Sequence, residues 1–582
     1  MKHCFKNLQD FILAIENKGE LKRVLTPVSP YLEITKYTDH ESKSPNGGKA
    51  LLFEKVKGFD FPVITNAFGS QTRICLALGV DNLCQLGERL QKIINMRPNL
   101  FSSLFDVLRC FPRKARLTSP PCQEVVYTGK DVDLLKIPVL HCWPKDGGSF
   151  ITLPVVITRS LITGKRNAGM YRMQVFDKNT TGMHWHIHKD GSHYYQEYCK
   201  AGKRMPVAVA IGTDPATTYA STAPLPRGAD EFMLAGFLRR KPVALTKCLT
   251  IDLEVPAEAE FVLEGYVDPG ETRLEGPFGD HTGYYSLVDY YPVFHVTAIT
   301  HRKQPIYSAT IVGRPPMEDC YLAKATERLF LPLIKTVFPE IKDYWLPWEG
   351  VFHNIVVVAM QKEYPGHAQK IMSGLWGQGQ ISFSKAIVVV DEIVNPQDPK
   401  AVMQELLNKL DITSDITIAK GVLDVLDHSA PQPLYGSKIG VDLTSRLAGE
   451  PERVRFAAPQ DVKPCSMPDT PVSGVVSLHP LSITGSIHNK ILLIKADKGK
   501  VLSGASIAGE IIADSRFDYY NIILLLDIDV DLSDYSLVLW KLFNNVDPVR
   551  DMYFAKERLV VDACRKGVRD GHAREWPEDI AL

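Results

Sequence analysis

The feature that most limits how this 582-residue chain can fold is an internal repeat in its C-terminal third. A segment ending at Asp415 aligns without gaps on a segment ending at Asp551, at an offset of 136 residues. Seven matched positions carry the same residue type: Asp391, Asp398, Val402, Leu406, Asn408, Asp411 and Asp415 recur as Asp527, Asp534, Val538, Leu542, Asn544, Asp547 and Asp551. Shared strand and helix patterning could explain the apolar matches, but the polar matches favour a duplication. Each copy is predicted to be a β-α-β-α unit of about 65 residues.

The patterning of the remaining chain predicts a multidomain α+β protein. In the N-terminal part, apolar residues at helical spacing alternate with short strands, which predicts a small α/β domain. In the central part, short Val-, Ile-, Thr- and Tyr-rich runs predict a mostly antiparallel β-barrel with one inserted helix, EFMLAGFLRR. The predicted domains are 1–115 (α/β), 116–320 (central barrel), 321–445 (C-terminal α/β domain, first copy), 446–486 (extended proline-rich linker) and 487–582 (second copy and tail).

Charge and cysteine placement exclude several functional classes. Lys plus Arg and Asp plus Glu number 67 each, so no net positive field favours a nucleic-acid partner. The 11 cysteines contain no Cys-x-x-Cys pair, which fits neither a disulfide framework nor a structural zinc site. Walker A, G-x-G-x-x-G, H-E-x-x-H and G-x-S-x-G motifs are missing from the sequence. Charged residues interrupt every apolar run at the N-terminus, so we expect a cytoplasmic protein.

Side chains suited to chemistry concentrate between Asn167 and His281. Asn167 and Arg172 flank Gly169, where the backbone could approach a phosphate or carboxylate ligand; the alternative is a turn with an exposed arginine. His184, His186 and His188 alternate with other residues, so in a strand they would share one face and could line a cofactor or metal site. The alternative is a solvated strand face.

Three acidic residues belong to the same region. Glu231 lies in the first turn of the predicted helix, where the helix dipole alone favours it. If Glu231 converges on Asn167 and a histidine, the set would suit Mn²⁺ or Mg²⁺. Glu275 and Asp280 flank a Pro-Phe-Gly turn, and two close carboxyls could serve proton transfer. The alternative is an acidic surface turn, but the flanking aromatic residues favour a pocket.

Four segments of this region resemble the motifs of the UbiD decarboxylases, which use prenylated FMN with a divalent cation and potassium. They are NAGMYRMQ, HIHKDG, LPRGADEFMLAGFLR and LEGPFGDHTGYY, with further support from LQDFI…GELKRV, VDLLKIP…CWP and IVGRPP. The resemblance runs in order over residues 5–445. It implies an N-terminal α/β domain, a central split β-barrel of the flavin-reductase type and a C-terminal α/β domain.

Carried over position by position, the resemblance implies a role for individual residues. It implies that Asn167, His188 and Glu231 bind Mn²⁺, or another divalent cation, at the cofactor phosphate. Arg172, Glu275 and Asp280 match the catalytic Glu-Arg-Glu triad, with Asp in the last place. We expect Arg172 to keep Glu275 ionised and to leave Asp280 as the more easily protonated member and the proton donor. The residues implied to line the prenylated flavin are Met170, Tyr171, Arg172, His184, Trp185, His186, Lys189 and Asp190.

The function implied by the resemblance is non-oxidative decarboxylation of a hydroxylated aromatic acid in ubiquinone or menaquinone synthesis. Asp in the triad is typical of members resembling 4-hydroxy-3-polyprenylbenzoate decarboxylase, and the length resembles the branch that acts on a dihydroxynaphthoate. The implied partners are the aromatic acid, a flavin prenyltransferase that supplies the cofactor, the membrane periphery through a lipophilic substrate, and other copies of the chain. The alternative is a non-catalytic flavin-binding or carrier protein, which would have no need for Glu275 and Asp280. The second repeat copy is absent from compact members, and we expect it to serve assembly.

Overall fold

The computed structural model describes residues 4–95, 110–115, 119–462, 464, 472–481, 488–499 and 501–582. Residues 463, 465–471 and 482–487 of the predicted linker lie outside the described residues. The chain divides into two compact units: unit 1 is Met1–Leu329 with Glu578–Leu582, and unit 2 is Phe330–Pro577. In the part that the structure describes, no helix has the length and apolar character needed to cross a bilayer.

The helices fall at the following positions. In chain order the described α-helices are α1 (Leu8–Asn17), α2 (Glu33–Ser42), α3 (Gln71–Ala77), α4 (Cys84–Ile94), α5 (Asp190–Lys200), α6 (Pro215–Ala220), α7 (Glu231–Arg239), α8 (Glu318–Val337), α9 (His367–Leu375), α10 (Pro399–Lys409), α11 (Gly504–Ala513), α12 (Tyr535–Asn545) and α13 (Pro548–Asp551). The predicted helix of the central region is confirmed as α7. Asp230 caps it by accepting a hydrogen bond from the Phe232 N–H at 2.9 Å.

The strands divide between the two units. Unit 1 contains β1 (Leu21–Val24), β2 (Ala50–Phe53), β3 (Val63–Thr65), β4 (Arg113–Lys114), β5 (Val125–Thr128), β6 (Phe150–Ile151), β7 (Pro154–Arg159), β8 (Arg166–Gly169), β9 (Met173–Gln174), β10 (Thr180–Gly182), β11 (Met205–Ile211), β12 (Ala244–Lys247), β13 (Glu254–Pro256), β14 (Phe261–Glu275), β15 (Phe278–Gly279), β16 (Tyr285–Ser286), β17 (Asp289–His301) and β18 (Tyr307–Ser308). Unit 2 contains β19 (Ile341–Trp345), β20 (Ile355–Met360), β21 (Ala386–Asp391), β22 (Ile416–Val422), β23 (Tyr435–Asp442), β24 (Val475–Leu481), β25 (Ile491–Ala496), β26 (Ile522–Asp527), β27 (Met552–Ala555) and β28 (Arg558–Asp562).

Unit 1 contains the predicted N-terminal α/β part and an antiparallel central sheet. The helix predicted from apolar spacing is α1, and its four periodic side chains, Leu8, Phe11, Ile12 and Ile15, are buried. The central sheet has the strand order β10-β17-β14-β11-β7-β8, with β5 also paired to β17. Its neighbouring strands pair antiparallel, as the short apolar runs predicted. The described strands do not close on themselves, so the split-barrel detail of the fold is not confirmed.

Unit 2 contains two sheets with the same strand order, β19-β20-β21-β23-β22 and β24-β25-β26-β28-β27. In each sheet three parallel strands lie between two antiparallel edge strands. Each copy contains the predicted β-α-β-α order, β20-α9-β21-α10 in the first and β25-α11-β26-α12 in the second, and three further strands extend each sheet beyond it. Strand β24 also lies inside the predicted extended linker, and that assignment was wrong there. The error arose because β24 is an edge strand that contains Pro480 and shows little apolar alternation.

The two copies of the repeat pack against each other within unit 2. Apolar side chains from both sheets share one core, including Val357 and Val390 of the first copy and Leu493 and Leu526 of the second. At its edge, Asn354 Nδ2 of the first copy donates to Asn544 Oδ1 of the second at 2.9 Å. The equivalent Asn489 Nδ2 donates to the Leu410 carbonyl oxygen of the first copy at 3.0 Å. Reciprocal contacts of this kind are what a two-fold relation between the copies produces.

Candidate active site

Arg172 lies between two buried carboxylates at one end of the central sheet. Glu275 is the last residue of β14, and Asp280 follows the short strand β15. Arg172 Nε donates to Glu275 Oε1 at 3.0 Å, and Arg172 Nη1 donates to Asp280 Oδ2. Arg172 Nη2 donates to Ser286 Oγ at 3.1 Å, which ties the arginine to β16. The structure therefore brings together the three residues predicted to be catalytic, although they are 108 positions apart in sequence.

The electrostatics of this cluster differ from the sequence-based expectation. Burial alone would raise the pKa of both carboxyls, but positive charge and hydrogen bonds outweigh it. His184 and Arg172 lower the pKa of Glu275, while Arg172 and His281 hold the pKa of Asp280 far below its usual range. These contacts do not favour Asp280 as the more easily protonated member, because the His281 N–H and ring nitrogen both bind Asp280 Oδ1, each at 2.7 Å, in addition to Arg172. The role of Asp280 as proton donor stays a prediction.

The histidine segment is a loop between β10 and α5, so the shared strand face considered for His184, His186 and His188 does not form. Two of its imidazoles nevertheless meet: His184 Nε2 lies 2.7 Å from His186 Nε2. His184 Nδ1 lies 2.7 Å from Glu275 Oε1. Burial and the charge of Arg172 lower the pKa of His184, which favours the neutral form of its ring. We infer that Nδ1 carries the proton toward the carboxylate, which leaves Nε2 to accept from His186.

The residues predicted to bind a metal come together in part. Asn167 Nδ2 donates to Glu231 Oε1, and the Ala168 N–H donates to Glu231 Oε2, both at 2.8 Å. Burial raises the pKa of Glu231 to about 7, although hydrogen bonds from the Ala168 N–H and the Asn167 side chain oppose the shift. His188 lies in the loop before α5, with its ring 5.8 Å from the ring of His186. A place for His188 beside Asn167 and Glu231 stays a prediction.

This donor set fits a divalent cation. A carboxylate, an amide oxygen and an imidazole are ligands that Mn²⁺ and Mg²⁺ accept. A cation beside Glu231 would also offset the cost of burying its charge. In the part of the chain that the structure describes, one group of His, Cys, Asp and Glu side chains has ligand atoms within 4.8 Å of one another, namely Asp268, Glu271 and His295. That group is at the surface and is explained by ion pairs, such as Arg204 Nε to Asp268 Oδ1 at 2.7 Å.

The segments predicted to line a flavin also converge. The rings of Tyr171 and Trp185 are buried and meet edge to face, with centroids 6.5 Å apart. The Trp185 indole N–H is buried and has no hydrogen-bond partner among the described residues, as expected of a donor reserved for a ligand. The Met170 N–H donates to the Ser221 carbonyl oxygen at 2.9 Å, and Asp190 Oδ2 accepts from the Gly228 N–H at 3.2 Å. Lys189 precedes α5 as its N-cap residue.

Sequence reasoning missed two acidic residues near this cluster. Asp146 accepts the N–H groups of Cys142, Trp143 and Gly279, and so fixes the start of the turn that carries Asp280. Burial raises its pKa to about 6. Burial also raises the pKa of Asp319 to about 7, although His281 opposes the shift. The CWP residues before Asp146 resemble a family motif, but no local sequence pattern indicates a role for Asp146 or Asp319.

Solved structures support the same fold. The vanillic acid decarboxylase of Sedimentibacter hydroxybenzoicus, in its closed form, matches with a TM-score of 0.71 and 27% identity over 78% of this chain and 96% of its own. The UbiD-class enzyme HmfF of Pelotomaculum thermopropionicum, in complex with FMN, matches with a TM-score of 0.66 and 30% identity over 78% of this chain and 99% of its own. An evolved dimeric form of HmfF in complex with prenylated FMN matches with a TM-score of 0.65.

Sequence relatives match over long stretches. A protein of Archaeoglobus fulgidus is 50% identical over 456 residues, which are 77% of this chain and 93% of the relative. A protein of Helicobacter pylori strain 26695 is 38% identical over 590 residues, which are 98% of this chain and 94% of the relative. Both relatives are described only as uncharacterized proteins. The Helicobacter match extends into the second repeat copy, because it leaves only a small part of this chain uncovered.

Three family models cover the chain in order. They describe a 3-octaprenyl-4-hydroxybenzoate carboxy-lyase N-terminal domain at residues 12–92, a Rift-related domain at residues 113–315, and a C-terminal domain at residues 320–443 and 466–564. The central model spans the segments that place Arg172, Glu275 and Asp280 together. The predicted family resemblance is thereby confirmed, and the chain belongs to the UbiD family of decarboxylases.

Proposed function

We propose that this chain removes CO₂ from a hydroxylated aromatic acid with prenylated FMN as cofactor, in the synthesis of a ubiquinone or menaquinone precursor. The observation that carries the proposal is Arg172 held between the buried carboxylates of Glu275 and Asp280. Two similar enzymes of solved structure support the chemistry: one is a vanillic acid decarboxylase, and the other is held in complex with FMN or prenylated FMN.

Loss of CO₂ from an aromatic ring leaves a strongly basic carbanion, and no side chain can accept those electrons. The bound prenylated flavin would supply the electron sink. Trp185, Tyr171 and the loop that contains His184 and His186 would orient it. Asn167, His188 and Glu231 would hold Mn²⁺ or another divalent cation at its phosphate, and K⁺ is expected from the family.

The protein's own side chains contribute the transfer of one proton to the product. Arg172 and His184 keep Glu275 ionised, whereas Asp280 faces His281, whose side chain is 23% exposed and offers a path to solvent. An anionic substrate carboxylate entering this pocket would raise the pKa of Asp280, because like charges disfavour ionisation. Asp280 then takes up a proton through His281 and delivers it to the ring carbon that has lost CO₂. Protonation on substrate binding thus replaces the pre-protonated acid expected from the sequence.

The cellular setting follows from the same proposal. The substrate is an aromatic acid of the 4-hydroxy-3-polyprenylbenzoate or dihydroxynaphthoate kind, and a lipophilic tail on it would bring the enzyme to the membrane periphery. A flavin prenyltransferase would supply the cofactor, and the active form would be a cytoplasmic homo-oligomer.

The test is to purify the chain after co-expression with a flavin prenyltransferase and, as control, without it. We expect an absorbance band and mass for prenylated FMN only after co-expression. We also expect CO₂ release from a panel of 4-hydroxybenzoates and 1,4-dihydroxy-6-naphthoate by that preparation alone. Flavin bound at full occupancy with no CO₂ release from any acid of the panel would instead favour the carrier alternative.

A further inference from the structure

The segment Glu578–Ile580, from the far end of the sequence, pairs with the hairpin that holds Asp280. Strands β15 and β16 pair antiparallel, and the Asp280 N–H donates to the Tyr284 carbonyl oxygen at 3.1 Å to close the turn. On the other edge of β16, the Tyr285 N–H donates to the Glu578 carbonyl oxygen at 3.0 Å. The Ile580 N–H donates to the Gly283 carbonyl oxygen at 2.9 Å, and Tyr284 pairs with Asp579 in an antiparallel bridge.

Side chains also hold the segment Glu578–Ile580 in place. Glu578 forms an ion pair with Lys145, and the Lys145 N–H donates to the Tyr285 hydroxyl at 3.3 Å. Ile580 packs against the main apolar core of unit 1. The ion pair is exposed and contributes little, so the backbone bonds and the packing of Ile580 dominate.

The hairpin needs this support for a physical reason. Strands β15 and β16 have two residues each, and an isolated two-stranded hairpin is at best marginally stable in water. The backbone bonds from Glu578–Ile580 occupy part of the open edge of β16 and restrict the turn from Asp280 to Tyr284. Because Asp280 is bound through Arg172 and His281, a shift of this turn would move a carboxylate that must lie close to the reacting carbon.

We propose that Glu578–Ile580 is a positioning element for Asp280, and that it fixes the turn in the geometry required for proton delivery. The inference rests on the proposed function and goes beyond it, since it gives a role to residues far from the family motifs. The segment follows unit 2 in the sequence but belongs to unit 1.

The test removes one backbone hydrogen-bond donor, the N–H of Ile580. Ile580→Pro removes the N–H that bonds to Gly283, whereas Leu582→Pro, two residues further on at an exposed position, is the matched control. Loss of one such bond predicts a fall in kcat of about 3- to 10-fold with KM and flavin content unchanged. Ile580→Ala, which keeps the N–H and removes the side chain, separates packing from hydrogen bonding.

Hydrogen exchange supplies a readout that does not depend on activity. The Tyr285 amide should exchange faster in Ile580→Pro than in Leu582→Pro, and the isotope label should enter the product more slowly. If Ile580→Pro turns over at the rate of Leu582→Pro, the proposal is overturned, whereas inactivity of the unmodified chain toward every acid would count against the proposed function instead.

A second variant covers the case in which Ile580→Pro loses its fold or its flavin. A stop codon after Pro577 removes the segment Glu578–Ile580. A peptide of residues 574–582 is then added to the truncated protein at millimolar concentration. Recovery of turnover by the peptide, but not by the same peptide with proline at position 580, supports the proposal. A folded, flavin-bound truncation that is fully active without the peptide refutes it.

Discussion

Replacing Asp280 with asparagine tests the proton-delivery step directly. The amide keeps the size of the side chain and an oxygen for Arg172, but it cannot deliver the proton. Positioned general acids contribute about 10²- to 10⁴-fold to rate, so turnover should fall by that range. Flavin and metal content should stay unchanged, because neither Asn167 nor Glu231 contacts Asp280 in the described contacts.

The cost in stability can be bounded from the same contacts. Breaking a buried ion pair costs about 3–5 kcal/mol when it leaves one charge without a partner. Here Arg172 keeps the carboxylate of Glu275 at 3.0 Å and the hydroxyl of Ser286 at 3.1 Å. We therefore expect a loss of about 1.5–3 kcal/mol, the range for a hydrogen bond to a charged group. The folded variant should remain abundant enough to assay.

The assay measures CO₂ release and the entry of solvent deuterium into the product in single turnovers. The control is Asp214→Asn, which breaks another buried pair, that of Asp214 with Arg239 at the start of α6. Asp214→Asn should lower stability by a similar amount and leave turnover per folded molecule unchanged. Near wild-type decarboxylation by Asp280→Asn would refute the reasoning and direct attention to His281, Glu275 or Asp319.

Three further outcomes are expected. Glu231→Gln should lose manganese and flavin together, measured by metal analysis and absorbance, and full flavin retention would contradict the metal assignment. Truncation near Gly474 should change the oligomer size seen by light scattering, because it uncovers the apolar face that the second copy covers; an unchanged oligomer would count against this. Burial lowers the pKa of His428 to about 3, so stability should fall as pH drops from about 6.5 toward 3, since only the unfolded chain then binds the proton. Denaturation at about pH 7 and pH 5 checks this, and His428→Gln should flatten the dependence.

The sequence predicted local structure well where one periodicity dominates. Helix α1 follows from apolar residues at helical spacing, because it buries one face, and β7 and β11 follow from short apolar runs, because nearly all of their residues are buried. Local spacing did not predict strand β24 or the loop at residues 184–188, because tertiary contacts determine the backbone there. The histidine loop gains its order from the bond of His184 to Glu275, a contact across 91 positions that no local pattern encodes.

In the candidate site, the residues could be predicted from the sequence, but their protonation could not. Family motifs identified Arg172, Glu275 and Asp280, and the fold brings them within hydrogen-bond reach. Their protonation could not be predicted, because it depends on the order of charges around Arg172. The sequence showed two carboxyls on one turn, but the structure shows an arginine between them and a histidine beyond Asp280.

The duplication extends further than the aligned segment. In the first copy, Lys362 Nζ lies 2.7 Å from Glu450 and 3.8 Å from Asp442 at the carboxyl ends of the parallel strands. In the second copy, Lys498 Nζ lies 2.9 Å from Asp570 and 2.8 Å from Asp562. Both acidic partners recur at an offset of 120 rather than 136 residues, because the first copy has a longer connection between β22 and β23 than the second has between β27 and β28. An ungapped comparison therefore misses them.

These matched ion pairs decide between duplication and convergent patterning. Apolar alternation can arise independently in any buried sheet, whereas a buried lysine with two carboxylates at equivalent strand ends requires three coordinated positions. Both copies share one arrangement of strand ends, which favours duplication, and their asparagine contacts give unit 2 a two-fold character. The residues proposed for catalysis, by contrast, all lie in unit 1. The apolar core that the second copy shares with the first stabilises unit 2, whereas Glu578–Ile580, which pairs with the hairpin of Asp280, belongs to unit 1.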